Sequence, residues 1–168
     1  LVGGLVLIKL LATTLSKETY GYYSLVASIT ALIVMLPFSA LMQGVSRYIS
    51  IYQNKFKYSE FFTIVILLHL FIIFVYLILS VVFKNTYTLS SDWNAIYYWV
   101  VFFSISEIIK ILFRTINNVN RERKNLVIST IVEFGLKVVL VYLLYYNYKI
   151  DIKTLLVVFI VANIFATL

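Results

Sequence analysis

Lys9, Glu107, Lys110, Glu133 and Lys137 stand inside apolar runs, and His69, the only histidine of the chain, joins them. A charge at the centre of a membrane-spanning helix costs about 2.5–3.5 kcal/mol on insertion scales, so such residues face a bundle interior or a water-filled cavity. Glu107 and Lys110 are three residues apart, Glu133 and Lys137 four apart; both spacings put the two side chains on one helix face. Two chemistries fit. The pairs can neutralise themselves so that their helices insert, or they can line a hydrated path for a charged solute. Lys9 has no acid within one turn. It therefore requires another helix, an anionic ligand, or a reach to the headgroups.

Depth sharpens the pattern. At about 1.5 Å per residue, His69, Glu107 and Glu133 each come out roughly 12–13 Å from the same face of a hydrocarbon core about 30 Å thick. Lys9 and Lys137 fall on a second level, roughly 10–12 Å from the opposite face. Arg47 and Arg114 close apolar runs as interfacial anchors, and Arg114 lies seven residues beyond Glu107 on the same face. Hydrolytic or redox chemistry has no constellation here. A single His excludes paired-His metal motifs, the absence of Cys excludes thiolate ligands and nucleophiles, and no phosphate-binding glycine loop occurs. No enzyme activity, cofactor or metal is expected.

The elements that must hold these residues follow from composition. The 168 residues are 62% hydrophobic and 12% charged, with a mean hydropathy of +0.99. Soluble domains average about 25% charged residues, so this chain cannot clothe a globule in polar side chains. Six apolar segments are expected as helices, at about 1–16, 20–47, 60–83, 94–116, 125–147 and 153–168. Their β-branched residues would favour strands in water. Lipid, however, forbids unpaired backbone, and the runs exceed the 9–11 residues of a transmembrane strand. The expected fold class is all-α, a polytopic transmembrane bundle forming one domain over residues 1–168. Its first and last helices read as truncated, as in a piece of a longer protein. Pro37 should bend the second helix.

The net charge of +7 would suggest nucleic acid in a soluble protein. Here the basic residues flank apolar segments, so membrane lipids and orientation account for them and no nucleic-acid partner is expected. Arg47, Lys55, Lys57, Arg114, Arg121, Arg123 and Lys124 fall in the 47–60 and 114–125 loops, against Lys17, Lys84, Lys149 and Lys153 in the others. That bias assigns the first two loops to the cytoplasm. Tyr20, Tyr22, Tyr23, Trp93, Tyr97, Tyr98, Trp99, Tyr145, Tyr146 and Tyr148 gather at the opposite boundary as an aromatic belt. The stretch KETYGYYSL, residues 17–25, is then expected as an outer hairpin, with Gly21 permitting the reversal.

Three stretches carry a family resemblance. "LSKETYGYYSLVASI", with Glu18, Tyr20, Gly21, Tyr23, Ser24 and Leu25, "MQGVSRYIS", with Gly44, Arg47 and Tyr48, and "RTINNVNRERKNLVISTIVEFGLKVVLVYLL" resemble bacterial polysaccharide flippases of the Wzx type. These belong to the MOP/MATE-like superfamily, which also holds lipid II flippases and MATE exporters. The resemblance implies the N-terminal lobe of a two-lobe transporter in the bacterial cytoplasmic (inner) membrane, completed by a second lobe of the same chain. It implies transport of an undecaprenyl-diphosphate-linked oligosaccharide, the O-antigen type of cargo used in lipopolysaccharide and other surface polysaccharide biosynthesis. Alternating access would present a cationic cavity to each side in turn. Lys9 and Arg47, then Lys110 and Lys137, are the candidate phosphate-facing cations; His69, Glu107 and Glu133 are candidates for ion coupling or charge tuning. A cation-coupled multidrug exporter remains an alternative, with Glu107 or Glu133 as its carboxylate site. An integral-membrane polysaccharide polymerase is another, although such enzymes carry long outer loops.

Overall fold

The computed structural model describes residues 2–52, 58–120, 122–147 and 150–167, without the side chains at positions 2, 35–37, 39, 40, 49–52, 58, 119 and 147. Lys55, Lys57, Arg121, Tyr148 and Lys149, which enter the orientation and aromatic-belt arguments, lie outside the described residues. Every regular element described is an α-helix. They run α1 (Val2–Thr14), α2 (Lys17–Tyr52), α3 (Tyr58–Thr86), α4 (Ser91–Val119), α5 (Arg123–Asn147) and α6 (Ile152–Phe165).

Among the described residues, Ser59–Thr86, Ser91–Asn118 and Arg123–Tyr146 are long and apolar enough to cross a membrane. At about 1.5 Å per residue, their 24 to 28 residues exceed a core about 30 Å thick. The span in α3 is the most apolar of the three, yet only 17% of its 18-residue apolar stretch is buried. Leu67, Leu70, Phe71, Phe74 and Leu79 point outward, while His69 and Ser80 are covered. That inverts a water-soluble helix, whose apolar stripe faces the core. It is the pattern a hydrocarbon solvent selects.

The expected second helix begins too late. KETYGYYSL is the opening of α2 and not a hairpin, because the break between α1 and α2 is confined to Leu15 and Ser16. Ser16 supplies the cap: Thr19 donates its N–H to Ser16 Oγ at 3.2 Å, and Tyr20 donates its N–H to the Ser16 carbonyl at 2.9 Å. Glu18 lies in the first turn, where a negative charge complements the helix dipole. Gly21 therefore sits within a helix and makes no reversal. α2 also continues as helix through position 37, the proline whose side chain is outside the described set.

Side-chain contacts fix the directions of the helices. Tyr22 meets Trp93 at 5.8 Å and Thr30 Oγ1 meets Ser104 Oγ at 3.1 Å, so α2 and α4 run parallel. Phe103 meets Phe159 and Ser106 meets Asn163, which makes α6 parallel to α4. α5 runs against both, with Lys110 on Glu133 and Ser129 on Ala166. α3 runs against α2 and α4, as Phe38 on His69, Val45 beside Val65, and Tyr97 on Ser80 require. Consecutive helices from α2 to α6 thus alternate, as short loops between spans demand. α1 lies along α5, where Gly3 admits the Phe134 ring; a Cβ there would come within 3.0 Å of it.

One apolar core, including Leu11, Val26, Val141, Leu155, Leu156 and Phe159, joins α1, α2, α4, α5 and α6. A smaller one around Val34, Phe38 and Ile108 attaches α3 through Ile72 and Ile73. α6 is started by Asp151, whose Oδ1 accepts the N–H of Thr154 at 2.9 Å and its hydroxyl as well. Partial burial pushes the Asp151 carboxyl up, but these hydrogen bonds outweigh it and leave the group below its usual range. A lowered folded-state value means that the cap stabilises above the ordinary carboxylate pKa and is lost as pH falls through the folded one. Asp151→Ala should cost about 1 kcal/mol by thermal unfolding in detergent near neutral pH, with the gap to the parent closing in acid.

Candidate functional site

The charges inside α4 and α5 form one cluster. Lys110 Nζ lies 2.6 Å from Glu107 Oε2 within α4 and 2.9 Å from Glu133 Oε1 on α5. Lys137 Nζ reaches the same Glu133 Oε1 at 2.5 Å. Arg114 Nη2 takes the other oxygen, Oε2, at 2.5 Å. Glu133 therefore accepts from three cations, and its side chain is only 3% exposed. Both local pairs exist, at three- and four-residue spacing, but Glu133 fuses them into a single network across two helices.

α6 closes the network with neutral groups. Asn163 is 1% exposed; its amide donates to Glu107 Oε1 at 2.8 Å and to Ser106 Oγ at 3.0 Å, while its carbonyl accepts from Lys110 at 3.3 Å. Both amide N–H groups and the carbonyl oxygen of that side chain are engaged there. Lys137 Nζ also lies 5.0 Å from the centroid of the Phe159 ring, within cation–π range. Phe159 in turn packs edge-on against Tyr23 of α2 at 5.4 Å.

Three cations against two carboxylates leave one positive charge in excess, and Arg114, the most exposed member at 30%, supplies it. The members differ in access. Glu133, Lys110 and Lys137 side chains are 3–7% exposed, but Glu107 is 19% exposed. Glu107 borders a cleft of about 250 Å³ between α2 and α4, lined also by Tyr23, Ala27, Thr30, Ala31 and Phe103. This cleft is where a solute could meet the cluster.

The expected site residues do not all converge. Lys137 joins the carboxylates. A helical side chain leans toward the N-terminus of its helix, which carries the Lys137 ammonium back one turn onto Glu133. Lys9 is exposed on α1 and, among the described residues, makes no ion pair. Arg47 is likewise exposed near the end of α2 and is not a member of the cluster. His69 is buried among apolar groups: its Nδ1 is 2.7 Å from the Val65 carbonyl and its ring 5.7 Å from Phe38. That bond requires the proton on Nδ1, so Nε2 is left as an acceptor, buried and without a partner among the described residues. Among the described residues His69 makes no hydrogen bond or ion pair with the carboxylates.

Sequence reasoning passed over Arg114, Asn163 and Ser106 as site residues. Arg114 carried a signal, its place on the Glu107 face, although its partner proves to be Glu133 on the next helix. Asn163 had one too, as the only amide in the last apolar run. Among the described residues no group of three His, Cys, Asp or Glu side chains could hold a metal ion. No protein-family model, no curated protein and no solved structure matches the chain.

Proposed function

We propose that this chain is one lobe of a two-lobe membrane transporter, a flippase that carries a lipid-diphosphate-linked oligosaccharide across the bacterial cytoplasmic membrane by alternating access. The observation that carries the reading is the largely buried ion cluster joining α4, α5 and α6, made net cationic by the part-exposed Arg114, with Glu107 open to the α2–α4 cleft. Removing two ions from water commonly costs more than their attraction returns, and apolar residues of like volume hold helices together as well or better. Five charged side chains are therefore a poor device for packing alone. A diphosphate entering hydrocarbon, by contrast, needs its hydration replaced by fixed cations and donors.

Lys9 and Arg47 are two further cations outside the cluster. Both side chains are exposed, so they can meet the cargo head or the second lobe directly. The family resemblance supplies the cargo class, and the excess of positive charge agrees with an anionic one. Substituting Lys9→Gln together with Arg47→Gln in the full-length protein should cut surface polysaccharide at least about tenfold, from the loss of two charge-assisted contacts. Unchanged polysaccharide at equal protein level would overturn their assignment.

A second reading, the cation-coupled exporter, draws on Glu107. It is the carboxylate of the cluster that a cation could reach through the cleft. Saturable binding of an amphipathic cation to the purified protein, lost in Glu107→Gln, would favour that reading over the flippase.

A further inference from the structure

A second concavity lies away from the charge cluster, between α2, α3 and the first half of α4. It encloses about 560 Å³, within the roughly 300–1,000 Å³ range of ligand-binding pockets. Ile29 and Ile33 form one wall, Leu79 and Phe83 another, and Val101 lies at its inner end with Trp93 near the start of α4. Apart from the Trp93 indole, the polar side chains on its walls are spent elsewhere, Tyr76 on Ser104. Tyr97 donates its hydroxyl to the Ser80 carbonyl at 2.7 Å, and Ser80 Oγ donates to the Leu77 carbonyl at 2.8 Å. What remains facing the space is hydrocarbon and ring.

A cation stands beside this groove, next to its Phe83 and Tyr97 wall. Lys84, in the last turn of α3, holds its ammonium 3.7 Å above the Tyr98 ring and 5.8 Å from the Tyr97 ring, itself stacked on Phe83. An ammonium has three hydrogen-bond donors. Aromatic faces attract the charge but accept none of these bonds in the ordinary sense. Among the described residues no carboxylate pairs with Lys84. The nearby acid at the start of α4, Asp92, accepts from Tyr22 at 3.3 Å.

An apolar slot with an unpaired cation at its aromatic rim matches an amphiphile with an anionic head. From this we infer that the α2–α3–α4 groove binds one acyl chain of an anionic membrane phospholipid, with its phosphate engaging Lys84. The inference rests on the chain spanning a membrane but not on the nature of the cargo. The lipid fills the gap that the sparse packing of α3 leaves and fastens α3 to the rest of the bundle.

Photolabelling tests this in the full-length protein reconstituted into vesicles. The probes are phosphatidylglycerol and phosphatidylcholine, each with a diazirine on one acyl chain. Labelled peptides should concentrate on the groove walls of α2 and α4, with phosphatidylglycerol favoured about fivefold through the single lysine. Ile29→Trp should abolish the groove label by filling the space, and Lys84→Gln should abolish the headgroup preference. Leu70→Trp, on the outer face of α3, should change neither. Even labelling along α3, insensitive to Ile29→Trp, would overturn the inference and leave only boundary lipid. Stronger groove labelling by a photoreactive prenyl phosphate than by phosphatidylglycerol would overturn the choice of occupant. No labelled peptide anywhere would take down the membrane reading with it.

Discussion

Glu133→Gln should lower the stability of the bundle by about 3–5 kcal/mol, read as the unfolding midpoint of the detergent-solubilised protein. Glu133 is the acceptor for Lys110, Lys137 and Arg114 at 2.5–2.9 Å, and the first two ammonium groups have almost no access to solvent. An amide keeps the volume and one acceptor oxygen but removes the charge. Three cations then face Glu107 alone. A buried lysine can shed its proton, which limits the cost without removing it. Lys137→Met should restore part of the loss in the Glu133→Gln background while costing stability on its own. The sign reverses because Lys137 is an asset only when Glu133 is charged. A midpoint shift no larger than that of an ordinary surface substitution, within about 0.5 kcal/mol, would mean the cluster does not hold these helices together.

The second expectation separates holding helices from moving cargo. Glu107→Leu, Lys110→Met, Glu133→Leu and Lys137→Met combined remove both acids and both buried lysines at similar volume. Arg114, 30% exposed, can turn to water or headgroups. Asn163 loses Glu107 and Lys110 as partners, so Asn163→Leu completes the set and leaves no buried amide unpaired. Replacement of a whole buried ion network by well-packed apolar residues is often neutral or stabilising by about 1–4 kcal/mol. The fivefold variant should therefore fold at least as well as the parent. Its transport should fall on the order of a hundredfold, because two charge-assisted contacts to a phosphate head are gone. No single substitution gives this contrast, since each leaves an unpaired partner that destabilises by itself.

How much of this was legible beforehand differs from residue to residue. Helices α2 to α5 were readable because apolar runs of 20 or more residues have one backbone solution in lipid, and the shorter α1 and α6 because they are apolar too. Their ends were not. KETYGYYSL reads as an outer hairpin on its charge and its glycine, while the true break needs only Leu15 and Ser16. A two-residue break with a serine cap leaves little compositional trace, and a polar first turn looks like a loop. Within the cluster, the local pairs were legible because three- and four-residue spacing is a property of one helix. The fusion through Glu133 was not, since it depends on how α4, α5 and α6 are rotated against one another. Rotation is set by packing, such as Phe159 between Lys137 and Tyr23. Depth counting placed Glu107 and Glu133 together correctly; it separated Lys137 from them because it located Cα atoms and ignored the reach of the side chain.

The central claim is that the charge cluster serves an anionic cargo and is not mere scaffolding. Its most direct test is the rate at which a diphosphate-linked oligosaccharide lipid crosses proteoliposomes holding either the parent or the fivefold variant, which keeps only Arg114 of the five charges, both shown folded by their unfolding midpoints. The account predicts a folded variant with translocation at the protein-free background. Translocation by the folded variant at the parental rate would contradict it and reduce the cluster to an expensive way of packing three helices.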